Sequence, residues 1–413
     1  MSENKKLFDE RLQRLLSAVA LEKTDRVPMA PKMNGIYGSA YGLSMYEAMM
    51  NTRLFEDGVK TFLKRYQPDM VWMPMVYPIP PMETLECGYI RWPGGDFGIP
   101  LDKGFQILDG CYIEPEEFGE LVFDPTNFIL TKLYPRKFKA LSGLSKINLQ
   151  YPCERSAFTN LIAFADPEVR ESLYRATVAG EQTGKWFGDV ARMIRLIEGD
   201  LGFPIGAKFS VTCPFDMFAD NMRGIMNVLV DMRKRPDELL EVINKLEVIS
   251  IRKAVSMLKA TGAKFCFIPL HNGVDEFMSR ENFLKFYWPG LKNLMTAVID
   301  EGCIPYVFCE GKYNTRLDII ADVPKGKVLY MFEQVDFKQV KEVVGKTACV
   351  CGNLDTALLM YGTKEQIADE TKRLIDIGAP GGGFMMDCSI GIEEAPLENL
   401  DVFFETTAKY GNY

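Results

Sequence analysis

Histidine is almost missing from this chain: His271 is the one such residue among 413. A Ser–His–Asp or Cys–His enzyme would have to be built on that single ring, and no serine stands in a Gly-x-Ser-x-Gly elbow. An excess of positive charge is missing too. Against 48 Lys and Arg stand 56 Asp and Glu, a net charge of −8, which argues against nucleic acid and anionic membrane as partners. No apolar run approaches the ~20 residues of a membrane-spanning helix. The opening MSENKKLFDE is not a signal peptide, so a cytoplasmic protein is expected. The ten cysteines include no Cys-x-x-Cys pair. In a reducing compartment they are expected to be free thiols, most of them buried as small hydrophobes.

What is present is the composition of a globular protein, 47% hydrophobic and 25% charged. Length alone suggests two or three domains, but α/β barrels often exceed that size as one unit. Residues 7–21 carry Leu12, Leu15, Leu16 and Val19 at helical spacing, and Ser44-Met45-Tyr46-Glu47 is a capping box opening a second helix. From 77 to 110 the chain is rich in Pro, Gly and aromatics, which predicts one or two hairpins inserted at the mouth of a larger structure. Apolar strand-like runs recur at 207–211, 264–270, 304–308, 328–332, 347–351 and 383–386. Helical segments at 236–260, 281–299, 337–344 and 364–377 separate most of them, the alternation of a parallel sheet. With 27–30 and 69–73 the strands number eight. The expected fold is α/β, a single (β/α)8 TIM barrel spanning residues 1–413 with an elaborated N-terminal half.

In such a barrel the chemistry sits where the strands end. His271 follows FCFIPL, Cys309 and Glu310 follow IPYVF, and Glu333 follows VLYMF. Cys349 and Cys351 close the next strand, and Asp387 and Cys388 follow GGFMM. Thiolates gathered with an imidazole or a carboxylate suit Zn²⁺, and ligands drawn from separate strands leave a coordination position open for substrate. His271, Cys309, Glu310, Cys349 and Cys388 are the candidate ligands. Glu333, and Glu310 if it is not a ligand, are candidates to orient substrate or manage a proton. Trp72, Met75 and Tyr77 are placed to wall an apolar pocket. Tyr313 is a further candidate substrate contact.

Several motifs then fall in order. Arg11 and Ala18 precede Asp25-Arg26-Val27-Pro28; Phe277-Met278-Ser279 and Phe286-Tyr287-Trp288-Pro289 follow; then come Glu310-Gly311-Lys312-Tyr313-Asn314, Gly352-Asn353 and Gly362-Thr363. In this order they resemble the uroporphyrinogen decarboxylase superfamily, and within it the corrinoid-dependent methyltransferase branch. The decarboxylases carry an arginine-rich segment that grips substrate carboxylates; the matching stretch here, residues 29–37, has no arginine. The resemblance to the methyltransferase branch implies zinc, held in some members by a His-x-Cys pair and a distant Cys. Here Cys309 and Cys388 are kept while Val307 stands at the histidine position, so a third ligand falls to Cys349, Glu310 or His271. A wider series, Glu281, Cys309 and Cys349, resembles related demethylating enzymes.

The implied activity is zinc-dependent transfer of a methyl group from a small methylated substrate, an aryl methyl ether in an O-demethylation, to the cobalt of a corrinoid on a separate protein. The chain has no Asp-x-His-x-x-Gly corrinoid motif of its own. The alternatives are a decarboxylase of the uroporphyrinogen type and a non-catalytic corrinoid or tetrapyrrole carrier. Oligomeric state is left open, a homodimer included.

Overall fold

A computed structural model describes residues 3–74, 76–149 and 157–412. Two short strands, β1 (Ile90–Arg91) and β2 (Gln106–Ile107), pair antiparallel within the Pro/Gly-rich stretch. The next five are β3 (Phe265–Leu270), β4 (Ile304–Lys312), β5 (Leu329–Gln334), β6 (Cys349–Leu354) and β7 (Phe384–Cys388). They form one parallel sheet in sequential order. Sequential parallel neighbours need crossovers, and helices such as Trp288–Asp300, Phe337–Val343 and Lys364–Gly378 supply them. Local chemistry sets their ends: Asp336 caps one helix, and Thr363 with Gln366 forms a capping box on another.

Three further extended segments close the ring. Met29 bridges Met386 of β7 in parallel, and Asp69 and Met70 donate their N–H groups to Met29 O. Val71 then bridges Ile205, and Ser210 bridges Phe267 of β3. The eight staves are those expected from the apolar runs, and the fold is a TIM barrel. The first staves are short for a chemical reason. Pro28, Pro31, Pro68, Pro74 and Pro204 have no N–H to give a ladder, so pairing there shrinks to single bridges.

Side chains along each stave alternate in direction, and this alternation builds two cores. Phe265, Phe267, Tyr306, Phe308, Met331, Cys351 and Met385 point into the barrel. Leu15, Ala18 and Val19 of the helix Glu3–Val19 join them, so that helix plugs the N-terminal end. Ile268, Val307, Tyr330, Phe332, Val350 and Met386 point outward against the surrounding helices. Buried Asp69 ties the plug to the first two staves: it accepts from Arg14, Arg26 and the Met29 N–H at 2.7–2.9 Å. The helix expected at 281–299 begins instead as a short turn and a π-helical stretch, Phe283–Tyr287, before straightening at Trp288. The 28-residue helix Pro167–Ile194 was not among the expected elements. No helix among the described residues is long and apolar enough to cross a membrane.

Candidate active site at the barrel mouth

At the C-terminal ends of the staves the inward positions turn from apolar to charged. Counting by twos from the inward residues Ala30, Phe308, Met331 and Met385 reaches Lys32, Glu310, Glu333 and Asp387. His271 follows Phe267 in the same way. These residues share the mouth, but they do different things.

Asp387 is fully buried and accepts from Lys32 N at 2.8 Å, Cys388 N at 2.7 Å and the Tyr306 hydroxyl at 3.2 Å. Burial disfavours its charge, and although those donors and the Lys32 ammonium oppose this, its pKa rises to about 7. Glu310 is half-buried and its pKa is also raised, by burial first, against the pull of His271 and Lys32. Glu333 is committed to the backbone: Oε2 accepts from Gly311 N at 2.6 Å and Oε1 from the Gln334 amide. Gly311 has φ +83°, where a Cβ would be strained, and β4 shifts register between Cys309 and Lys312. Glu333 thus ties down the bend in β4 that carries Glu310.

The histidine is embedded in a carboxylate network that its sequence neighbourhood does not announce. His271 Nδ1 lies 2.6 Å from Asp220 Oδ2, and Nε2 lies 3.8 Å from Glu310 Oε2. A carboxylate only accepts, so Nδ1 carries its proton toward Asp220. Asn272 donates its amide to both Asp220 and Asp216. Asp216, fully buried, also accepts from the His271 and Asn272 N–H groups and from the Tyr287 hydroxyl at 2.5 Å. Burial opposes the imidazolium, but the Asp220 hydrogen bond and the charges of Asp216 and Glu310 outweigh it, and the His271 pKa rises to about 9. The ring is protonated at neutral pH.

Asp216 and Asp220 were missed in the sequence. They lie four residues apart on the turn that follows the third stave, where the helix Pro214–Phe218 passes into a π-helical segment, Ala219–Arg223. Spacing of i, i+4 puts both on one face, and π-segments often mark functional sites. Placement directly after a stave was the available signal. Lys32 was missed as well, having been read only as a residue that is not arginine.

The thiols do not join this group. Cys309 and Cys388 are fully buried on the outward faces of β4 and β7, among the residues that meet the helices. Each is one position out of phase with its inward neighbour, Glu310 or Asp387, and one position reverses a strand side chain. Burial pushes both thiols well above their ordinary pKa, so they stay protonated. Cys349 does point inward but starts β6, four residues before the mouth position Asn353, roughly 13 Å along the strand. Its pKa is raised by burial to about 12. Glu281 is exposed on the short helix Arg280–Asn282. Among the described residues no set of three or more His, Cys, Asp or Glu side chains is arranged as metal ligands. Of the five expected ligands, the structure brings together His271 and Glu310 and leaves Cys309, Cys349 and Cys388 apart.

This placement predicts that Cys309→Ala and Cys388→Ala each retain activity and metal content. Each should lose about 1 kcal/mol of stability, the scale of one small buried group. Denaturation, assay and zinc analysis of the same preparations check it. Joint loss of zinc and activity would bring the cysteines back to the mouth.

Beside the charged cluster lies a cleft of about 500 Å³. Trp72, Met73, Val76, Phe209 and Phe267 line it from the barrel side, and Met45, Phe55, Tyr77 and Phe105 from the N-terminal elaboration. Trp72 stands edge-on to Phe267 with ring centroids 4.5 Å apart, and Tyr77 packs on Phe105 at 4.7 Å. Trp72 and Tyr77 are thus where the sequence placed them; Met75 lies outside the described residues. Tyr313 is not at the cleft. It is fully buried behind β4 beside Phe283, and its hydroxyl has no partner among the described residues. The charged residues lining the cleft are Asp102, Lys103, Glu393 and Glu394, with Lys103 bound to Asp102 and Glu394. No arginine lines it.

A family model described as uroporphyrinogen decarboxylase (URO-D) matches residues 167–410, more than half of the chain. No curated protein matches. Among solved structures, a methyltransferase from Methanosarcina mazei is 18% identical with a TM-score of 0.61, over 97% of this chain and 98% of that one. A B12-independent methionine synthase from Shewanella sp. W3-18-1, in complex with selenomethionine, is 12% identical with a TM-score of 0.37, over 52% of this chain and 64% of that one. The first likeness is one of fold, and it runs end to end.

Proposed function

The chain belongs to the uroporphyrinogen decarboxylase family, and from that premise we propose that it is a methyltransferase. It moves a methyl group from a small methylated substrate, an aryl methyl ether, to the cobalt of a corrinoid carried by a separate protein. The observation that carries this reading is the cleft itself. It is small, aromatic-walled and free of arginine, and two of its rings, Trp72 and Phe267, also enclose Lys32 at the barrel mouth. A decarboxylase for a polyanionic substrate needs cations to grip carboxylates. This cleft is lined by one lysine, already paired twice, and by three carboxylates. An uncharged aryl ring suits it better. The end-to-end likeness to a methyltransferase fold supports the same choice.

The thiolate-rich zinc set implied by the resemblance does not fit this donor arrangement, since two of its cysteines face away from the mouth and the third lies deep. No step is therefore routed through a zinc ion. What the chain's own residues do follows from the leaving group. An aryl methyl ether is a poor electrophile because the departing oxygen keeps the electron pair of the broken C–O bond. Glu310, whose acid form burial favours, gives that oxygen a proton once the cobalt(I) electron pair has taken the methyl carbon. His271, held charged by Asp220 and lying 3.8 Å from Glu310, restores the proton. The products are methylcobalt(III) and the phenol, and protons and electrons balance.

The test mixes this protein, a methoxylated aromatic and a cobalt(I) corrinoid protein, and follows the cobalt spectrum. Methylcobalt(III) is expected only when all three are present. No conversion across a broad panel of aryl methyl ethers and methylamines would overturn the reading.

A further inference from the structure

Lys32 takes no part in the chemistry described so far, yet its position is unusual for a lysine. The residue keeps a little solvent contact, while its ammonium is enclosed by three rings. Nζ lies 3.9 Å from the Phe308 centroid, 5.2 Å from that of Trp72 and 5.3 Å from that of Phe267. Its backbone is pinned, because Lys32 N donates to Asp387. Among the described residues Nζ has no hydrogen bond and no ion pair.

Rings can hold a cation with about 0.5–2 kcal/mol each, but they accept none of its three N–H bonds in the way an oxygen does. Burial lowers the Lys32 pKa, and an ammonium so enclosed, with water as its remaining acceptor, gains from a ligand oxygen that takes the place of that water. Four carboxylates act on it from beyond contact distance: Glu310, Asp387, Glu393 and Glu333. They favour the charge without satisfying the donors. Two of the three enclosing rings, Trp72 and Phe267, also line the cleft. A ligand in the cleft that brings an oxygen past those rings meets an N–H donor that no protein acceptor among the described residues has taken.

We propose that Lys32 is a catalytic residue of this site, whose ammonium donates to the oxygen left on an aromatic ring when its methyl group departs. The inference rests on the methyl-transfer reading and adds to it the group that receives the developing oxyanion. In the transition state the C–O bond breaks with its electron pair on oxygen, the C–Co bond forms from the cobalt(I) pair, and negative charge grows on the oxygen. A donor already fixed toward that charge helps the transition state more than the neutral ether. Glu310 then delivers the proton that makes the product a phenol. The substrate class narrows to methyl ethers of an aromatic ring, whose flat face fits beside Trp72 and Phe267 and whose phenolate is the oxyanion to be stabilised.

The discriminating variant is Lys32→Met, which keeps an apolar stem among the rings; circular dichroism confirms that it folds. Removing one such donor costs about 10²–10³-fold in rate. A loss of that size in kcat is expected for an unactivated methoxybenzene, and a loss below about tenfold for a nitro-substituted one, whose phenolate needs little help. KM should change little in both. An equal loss across the series, or none, overturns the role. A second measurement needs neither methyl group nor corrinoid: ultraviolet difference spectra of 4-cyanophenol titrated with the protein. The wild type should bind it as phenolate and Lys32→Met should not. If phenolate binds the wild type while no ether is ever demethylated, the transfer reading falls and the Lys32 oxyanion site stands. If ethers are demethylated and the variant binds phenolate as well as the wild type does, the Lys32 proposal falls and the transfer reading stands.

Discussion

His271→Ala is expected to slow methyl transfer by about 10²–10⁴-fold, the usual contribution of a positioned acid. The ring stands behind Glu310 as the group that returns its proton, and no second histidine exists to replace it. The pH profile carries the sharper form of this prediction. With its pKa raised to about 9 by Asp220, Asp216 and Glu310 against the opposing effect of burial, His271 is charged throughout the neutral range. The wild-type rate should stay level on that account up to about pH 8 and fall tenfold per unit above about pH 9, as the proton is lost. Asp220→Asn removes the hydrogen bond that most favours the imidazolium, so its alkaline limb should move acidward, toward the ~6.5 of a free histidine. The measurement is kcat/KM against pH for the wild type and Asp220→Asn with one slow ether. An alkaline limb that stays in place in the variant would remove His271 from the proton path.

Much of the barrel was legible because its staves are written as bounded apolar runs. The runs ending at Leu270, Phe308, Phe332 and Cys351 became β3 to β6, and even the weak pairings at Met29 and Val71 fell inside runs identified from composition alone. Two kinds of information were less visible. The helix Pro167–Ile194 was overlooked although Asp166-Pro167 is a good start signal, Asp166 accepting from Glu168 N and Val169 N. Parity was the other loss. Reading which residue types gather at a strand end finds Cys309 beside Glu310 and Cys388 beside Asp387, but adjacent residues on a strand face opposite sides. Counting by twos from Phe308 and Met385 would have kept the acids and sent the thiols outward, without coordinates. The same count from Ala30 reaches Lys32 without revealing what it does, and no count finds Asp220. Their roles depend on a turn and a stave far away in sequence, 51 residues before His271 for the one and 355 before Asp387 for the other.

Asp387→Asn is expected to stabilise the folded protein at alkaline pH while slowing the reaction. The folded pKa of Asp387, about 7, lies above the ~3.9 of an unfolded aspartate. Below pH 4 both states hold the proton and the native state has its full stability. Between pH 4 and 7 the unfolded chain ionises first and stability falls. Above pH 7 the whole difference has been lost, about 4 kcal/mol at most for some three pKa units. Asparagine does not ionise. Its carbonyl oxygen can accept from the Lys32 and Cys388 N–H groups, and its amide can donate to the Tyr306 hydroxyl, so the network survives the change. Urea denaturation at pH 5 and pH 8.5 should show a smaller drop in the variant than in the wild type, by about 2–3 kcal/mol. Equal drops would mean that the carboxyl titrates normally. The rate should move the other way, because Asp387 is one of the carboxylates that favour the Lys32 charge, and its loss leaves that ammonium among the rings with less support. A buried acid that weakens the fold above pH 7 is hard to explain as packing, since asparagine would fill the same space. It is explained if the charge it lends to Lys32 is what the barrel mouth is built to use.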